Sequence, residues 1–139
     1  MVTVAVQRVV QEDGTGCGLA CVAMVVGCTY AEVRTLAINE LGFDPAGPFF
    51  TDYVDIRAML ARFGYRLSRR AFFAGYDSLS PLSILGVERA SSGVEDHWVV
   101  HVKCGLDRYA LDPAGQVKSE RRRDWWRISP ISYANIAKL

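Results

Sequence analysis

Four residues of this chain have the types and the order needed for acyl transfer through a thiol. They are Gln11, Cys17, His97 and Asp112, with Gln11 six positions ahead of the cysteine in Gln11-Glu12-Asp13-Gly14-Thr15-Gly16-Cys17-Gly18. His97 opens the run His97-Trp98-Val99-Val100, and Asp112 closes Leu111-Asp112-Pro113. In such a set the cysteine is the nucleophile, the histidine its base, the aspartate the group that orients the base, and the glutamine amide a donor to the developing oxyanion. A free thiol is mostly protonated at neutral pH, so the arrangement works only where a helix N-terminus and an imidazolium lower its pKa.

The elements that must position these groups are legible in outline. Glycines 14, 16 and 18 precede and interrupt the start of an apolar run from Leu19 to Val26, which Gly27 can close as a C-terminal cap, so Cys17 falls in the first turn of a helix. Unpaired backbone N–H groups of that turn, with that of Cys17 among them, can face a substrate carbonyl oxygen. His97 starts an alternating run through Val102 that reads as a buried strand, and Arg108 to Asp112 reads as a second strand returning beside it. The chain's other histidine, His101, is four residues on, ~13 Å along an extended strand, so only one of the two can reach Cys17. His97 is favoured by its place at the strand's start, after Ser91-Ser92-Gly93.

Further elements follow from periodicity. Val2, Val4 and Val6 suggest a short strand or extended arm leading to Gln11. Thr29-Tyr30-Ala31-Glu32 is a capping-box pattern for a second helix reaching Leu41 and stopped by Gly42, followed by a loop over Phe43–Pro48. A third helix is expected from about Thr51 to Phe63, ended by Gly64. Beyond it the period changes, and Tyr65–Phe73, Leu82–Glu88, His97–Lys103 and Arg108–Asp112 read as strands. Helices first and strands afterward predict an α+β fold with a mainly antiparallel sheet, the nucleophile on the helical half and His97 and Asp112 on the sheet half.

With those residues in view, the stretch from Gln11 to Pro113 resembles the bacteriocin-processing cysteine peptidases, papain-like domains that remove double-glycine leader peptides. The resemblance rests on Gln11 with Cys17-Gly18, Cys21 followed by Met24, Phe63-Gly64-Tyr65, Pro81-Leu82-Ser83-Ile84-Leu85, His97-Trp98-Val99-Val100 and Asp112-Pro113. It implies a papain-like fold with N-terminal helices packed on a C-terminal antiparallel sheet, a Cys17-His97-Asp112 triad with Gln11 as oxyanion donor, a peptide or protein substrate, and neither cofactor nor metal. The chain departs from the family in two ways. Gly16 stands where an Asp often precedes the cysteine, and no membrane or nucleotide-binding portion follows, so a stand-alone member is expected.

Size and composition narrow the classes. At 139 residues and half hydrophobic, residues 1–139 are expected to be one globular domain. The longest apolar run is about half the ~20 residues that span a bilayer, and no signal-type segment opens the chain, so a cytoplasmic location without a membrane span is expected. A formal net charge of +1 gives no electrostatic reason for nucleic acid as a partner. The exception is Arg121-Arg122-Arg123-Asp124-Trp125-Trp126-Arg127, read as a solvated arginine face with two tryptophans covering the sheet, or else as a docking surface for an acidic or aromatic peptide. Of the four cysteines, Cys21, Cys28 and Cys104 lie in apolar sequence and are expected to be inert core residues. A zinc site is disfavoured because Cys17-x3-Cys21 has no matching second pair.

Three functions are compatible with these residues: a peptidase, the same thiol chemistry on another acyl group as a deamidase, transamidase or toxin-type amide hydrolase, and a silent peptide-binding module that has lost turnover. Intact Gln11, Cys17, His97 and Asp112 disfavour the last.

Overall fold

The structure, a computed structural model, describes residues 6–139. Three helices, α1 (Cys17–Val26), α2 (Tyr30–Leu41) and α3 (Tyr53–Arg62), precede six strands: β1 (Tyr65–Leu67), β2 (Ala71–Phe72), β3 (Leu82–Glu88), β4 (His97–Cys104), β5 (Asp107–Leu111) and β6 (Ser129–Lys138). The strands form one antiparallel sheet in the order β1-β6-β3-β4-β5, with β2 also on β6. The expected arm over Val2 and Val4 lies outside the described residues, and residues 6–10 carry no regular secondary structure.

Local chemistry sets the helix ends. Gly27 and Gly42 both adopt the left-handed conformation, φ 81° and 77°, and their N–H groups return to Ala23 and Ala37 carbonyls. The Thr29 hydroxyl accepts the Glu32 N–H at 3.1 Å, the cap expected there. α3, which begins within two residues of the expected start, carries a full capping box that had not been read: Asp52 accepts the Asp55 N–H at 2.8 Å, and Asp55 accepts the Asp52 N–H at 3.1 Å.

The sheet corrects the reading in two places. Tyr65–Phe73 is not one strand, because the register slips between Leu67↔Ile136 and Ala71↔Tyr133, leaving three residues, Ser68–Arg70, opposite two on β6. The Arg70 side chain released by this bulge donates to Ser132 Oγ at 3.0 Å and Glu95 Oε2 at 2.5 Å. The larger correction is β6, which had not been expected. Its buried residues Ser132, Ala134 and Ile136 alternate, but small and polar side chains mute the pattern, and Pro130 sits at a second bulge, opposite Val87.

The sheet has a core on each side. On one, α1 lies against β4, and Leu19, Val22, Met24, Ile56, Leu60, Trp98 and Val100 interlock. On the other, Leu85, Val87, Val99, Ala110 and Ile128 are covered by Phe73, Tyr76, Trp125 and Tyr133. α1 is buried along eight of its ten residues. That burial fixes Cys17, at its exposed end, relative to the first residues of β4. Among the described residues no single helix is long and apolar enough to cross a membrane.

Candidate active site

Cys17 stands at the first position of α1, half-buried, at the bottom of a cleft of about 510 Å³. One side of the cleft is Thr15 and Phe50–Tyr53, and the other is Arg89, Glu95, Asp96, His97 and Trp98. The helix begins at Gly16 with no side-chain cap, so its first-turn N–H groups stay free of side-chain acceptors beside the sulfur. Gly16 has a packing reason. A Cβ there would overlap the Tyr30 hydroxyl, which donates to Asp13 Oδ2 at 2.6 Å. Asp13 also accepts from Arg34 at 3.2 Å, so a carboxylate three positions further upstream than the one usual in the resembling family braces this turn.

The two halves of the fold bring Cys17, His97 and Asp112 together. His97 Nε2 donates to Asp112 Oδ1 at 2.7 Å, with both side chains almost fully buried. The remaining ring nitrogen is left for the hydrogen bond that joins His97 to Cys17. Burial alone would raise the Cys17 pKa, but the hydrogen bond and charge of His97, the backbone N–H of Trp98 and the charge of Arg89 together hold it below its ordinary value. Burial would likewise discharge His97, yet the bonds to Asp112 and Cys17 and their charges raise its pKa to about 9. Asp112, penalised by burial, is kept ionised below the usual range by His97, the Ala114 N–H and Arg122. A thiol with a lowered pKa, an imidazole with a raised one and a carboxylate held below its usual range are the electrostatic pattern of an activated cysteine.

Gln11 takes a different pose from the one expected. Its amide donates both protons, at 3.0 Å each, to the carbonyls of Asp13 and Gly14, and its buried Oε1 has no partner among the described residues. Its backbone N–H reaches the Pro113 carbonyl at 2.9 Å and so ties the loop before Cys17 to the Asp112-Pro113 turn.

Other residues around the site were not legible. Arg8, with a side chain only 5% exposed, donates to the carbonyls of Asp112 (2.6 Å), Ala114 (2.8 Å) and Val117 (2.8 Å). Arg122 donates to Asp112 Oδ2 at 2.9 Å. The basic segment is therefore not simply a solvated face. Arg123 pairs with Asp107, Arg121 and Arg123 lie over the Tyr109 ring, and of the two tryptophans only Trp125 packs on the sheet, Trp126 being 83% exposed. The cysteines also divide differently from the expectation: Cys21 is fully buried, Cys28 half-buried and Cys104 exposed at the end of β4. Burial raises the pKa of Cys21 and Cys28.

His101 lies four residues further along β4, buried between Tyr76 and Trp125, and accepts from Arg108 Nε at 3.1 Å. Burial, with the charges of Arg108 and Lys103, lowers its pKa to about 4, which keeps it neutral. It takes no part in the cleft.

The fold is that of the papain-like cysteine peptidase domains. The double-glycine-motif protease of an AMS/PCAT transporter, solved in complex with the leader peptide, superposes with a TM-score of 0.66 over 97% of this chain and 93% of that one, at 16% sequence identity. The peptidase domain of Streptococcus ComA, a bifunctional ABC transporter involved in a quorum-sensing pathway, superposes with a TM-score of 0.68 over 97% of this chain and 100% of that one, at 19% identity. No protein-family model and no curated protein matches the sequence significantly.

Proposed function

We propose that the protein is a cysteine peptidase that cuts peptide bonds at small-residue sites such as a double glycine, with residues 1–139 forming one peptidase domain. The observation that carries this reading is the Cys17-His97-Asp112 array. A depressed thiol pKa beside a raised imidazole pKa is the pairing that attack at neutral pH requires. The double-glycine preference comes only from the likeness to proteases of that kind.

In this mechanism the Cys17 thiolate attacks the scissile carbonyl carbon, and the oxygen takes up the negative charge facing the first-turn N–H groups of α1. Gln11 supplies the second donor by turning its amide away from the Asp13 and Gly14 carbonyls. The unpartnered Oε1 of its resting pose lowers the cost of that turn. The imidazolium of His97 gives its proton to the leaving amine as the C–N bond breaks, leaving a Cys17 thioester. His97, now neutral, takes a proton from water, whose oxygen attacks the thioester. The acid departs, and the imidazolium-thiolate pair is restored. Asp112 holds the ring throughout.

The test is incubation with synthetic peptides carrying a Gly-Gly site and with matched controls in which both glycines are replaced by valine, followed by mass spectrometry. Cleavage after the glycines that vanishes in Cys17→Ser supports the proposal. Retention of the peptide with a gain of one mass unit points instead to deamidation by the same thiol, and intact, tightly held peptide to a binding module.

A further inference from the structure

Asp112 is gripped at each of its oxygens, and one grip comes from the segment that returns after the Asp112-Pro113 turn. After the Asp112-Pro113 turn the chain loops out and returns beside β5, where Ala110 and Arg122 exchange backbone hydrogen bonds at 2.9 and 2.8 Å. This fixes the root of the Arg122 side chain. Its guanidinium forks, with Nε and Nη2 on the two carboxylate oxygens of Asp124 at 3.0 and 2.8 Å, and Nη1 on Asp112 Oδ2 at 2.9 Å. The other Asp112 oxygen, Oδ1, accepts from His97 Nε2 at 2.7 Å and from the Ala114 N–H at 3.0 Å.

We propose that Arg122 is a positioning residue for the thiol chemistry, locking the plane of the Asp112 carboxylate so that Oδ1 faces His97. The inference rests on the reading of Cys17, His97 and Asp112 as an active array. A carboxylate bonded at one oxygen can swing about its terminal torsion, which is broad. Bonds at both oxygens remove that freedom. Because Asp124 occupies the other edge of the planar fork, Arg122 cannot follow Asp112 if it turns.

Position and charge make opposite predictions. Removing a positive charge near Asp112 would, by charge alone, make the imidazolium easier to keep, and the proton would leave His97 at higher pH. Removing the lock would let the carboxylate drift from His97, so the imidazolium would be lost at lower pH and the Cys17 thiolate would form at higher pH. The other groups facing the array stay in place in both cases. These are Arg8 on the Asp112 carbonyl, Cys21 from α1 toward Cys17 and Asp112, and Arg89 toward Cys17 from the β3–β4 connection.

The experiment is the pH dependence of Cys17 alkylation by iodoacetate, whose carboxylate is drawn to the imidazolium, so that the rate rises as the thiolate forms and falls as the imidazolium is lost. In Arg122→Gln both limbs are expected to move inward, by about one pH unit each. Arg122→Lys keeps the charge without the fork, so inward movement there too assigns the effect to geometry. It also gives the same readout should Arg122→Gln not fold. In an Asp112→Ala background, Arg122→Gln should move the limbs no further. Unchanged limbs in a folded Arg122→Gln protein, or an outward move of the high-pH limb, would overturn the proposal. Failure of the underlying reading looks different: wild-type Cys17 would then titrate as an ordinary thiol with no falling limb.

Discussion

The indole N–H of Trp98 donates to the Thr51 carbonyl at 3.1 Å, joining the residue after His97 to the loop that leads into α3. The two sides of the cleft are thus tied to each other, and the backbone N–H of Trp98 also helps to lower the Cys17 pKa. Trp98→Phe keeps most of the buried ring but leaves the Thr51 carbonyl without its donor. A stability loss of about 1–3 kcal/mol is expected in urea unfolding. KM should rise more than kcat falls, because the walls spread while the triad stays. An unchanged KM would show that the bond serves only the fold.

Gly18, the residue after the nucleophile, is packed so closely that a Cβ would overlap the Thr51 side chain. Gly18→Ala should therefore destabilise the protein by about 1–3 kcal/mol despite alanine's better helix propensity. Thr51→Ala removes the Oγ1 and Cγ2 atoms that obstruct and should recover part of the loss in the double variant. Strict additivity of the two substitutions in thermal unfolding would disprove the clash.

Gln11→Ala separates two roles for that side chain. As an oxyanion donor it should lower kcat by roughly 10²- to 10³-fold with little change in KM. If its amide only braces the Asp13 and Gly14 carbonyls, kcat stays near wild type and the melting temperature drops.

His101 should leave its mark on stability rather than on turnover. Its folded pKa of about 4 lies below the ordinary histidine value of 6.5, so between those pH values the unfolded chain binds a proton that the folded protein refuses. Its effect is absent above pH 6.5 and destabilises increasingly as pH falls toward 4. His101→Gln should flatten this part of the stability-pH curve relative to wild type, while peptide cleavage at pH 7 persists in the folded fraction. Loss of cleavage in well-folded His101→Gln, with His97→Ala still active, would put the base at the wrong histidine.

Cys17 should be alkylated at pH 6 ahead of the other thiols, because the hydrogen bond and charge of His97 hold its pKa below the ordinary thiol value. Cys104 is exposed, so access to the reagent does not by itself favour Cys17 over it. Brief iodoacetamide treatment at pH 6 followed by peptide mapping makes the measurement. His97→Ala should slow labelling of Cys17 toward that of Cys104, and faster labelling of Cys104 in the wild-type protein would defeat the assignment.

The sequence by itself determined what depends on neighbours along the chain. The helix after Gly16, the caps at Thr29, Gly27 and Gly42, and strands β3, β4 and β5 follow from turn residues and from alternation over a few positions, and the order of Cys17, His97 and Asp112 suggested the chemistry proposed above. Tertiary structure decided what depends on distant partners. β6 is an interior strand that joins β1 and β2 to β3, but its Ser, Asn and Ala residues carry little hydrophobic signal, since its ladder bonds are made by backbone that every residue has. Nothing in the sequence singled out Arg8, and Arg122 lay in a segment read as a solvated face; only the fold brings them, 104 and 10 positions away along the chain, onto Asp112. Gln11 was read from its spacing to Cys17, yet its resting pose is set by the carbonyls that the loop presents to it. Residue type fixes which bonds a side chain can make. Which of them it makes depends on the partners that packing leaves within about 3 Å.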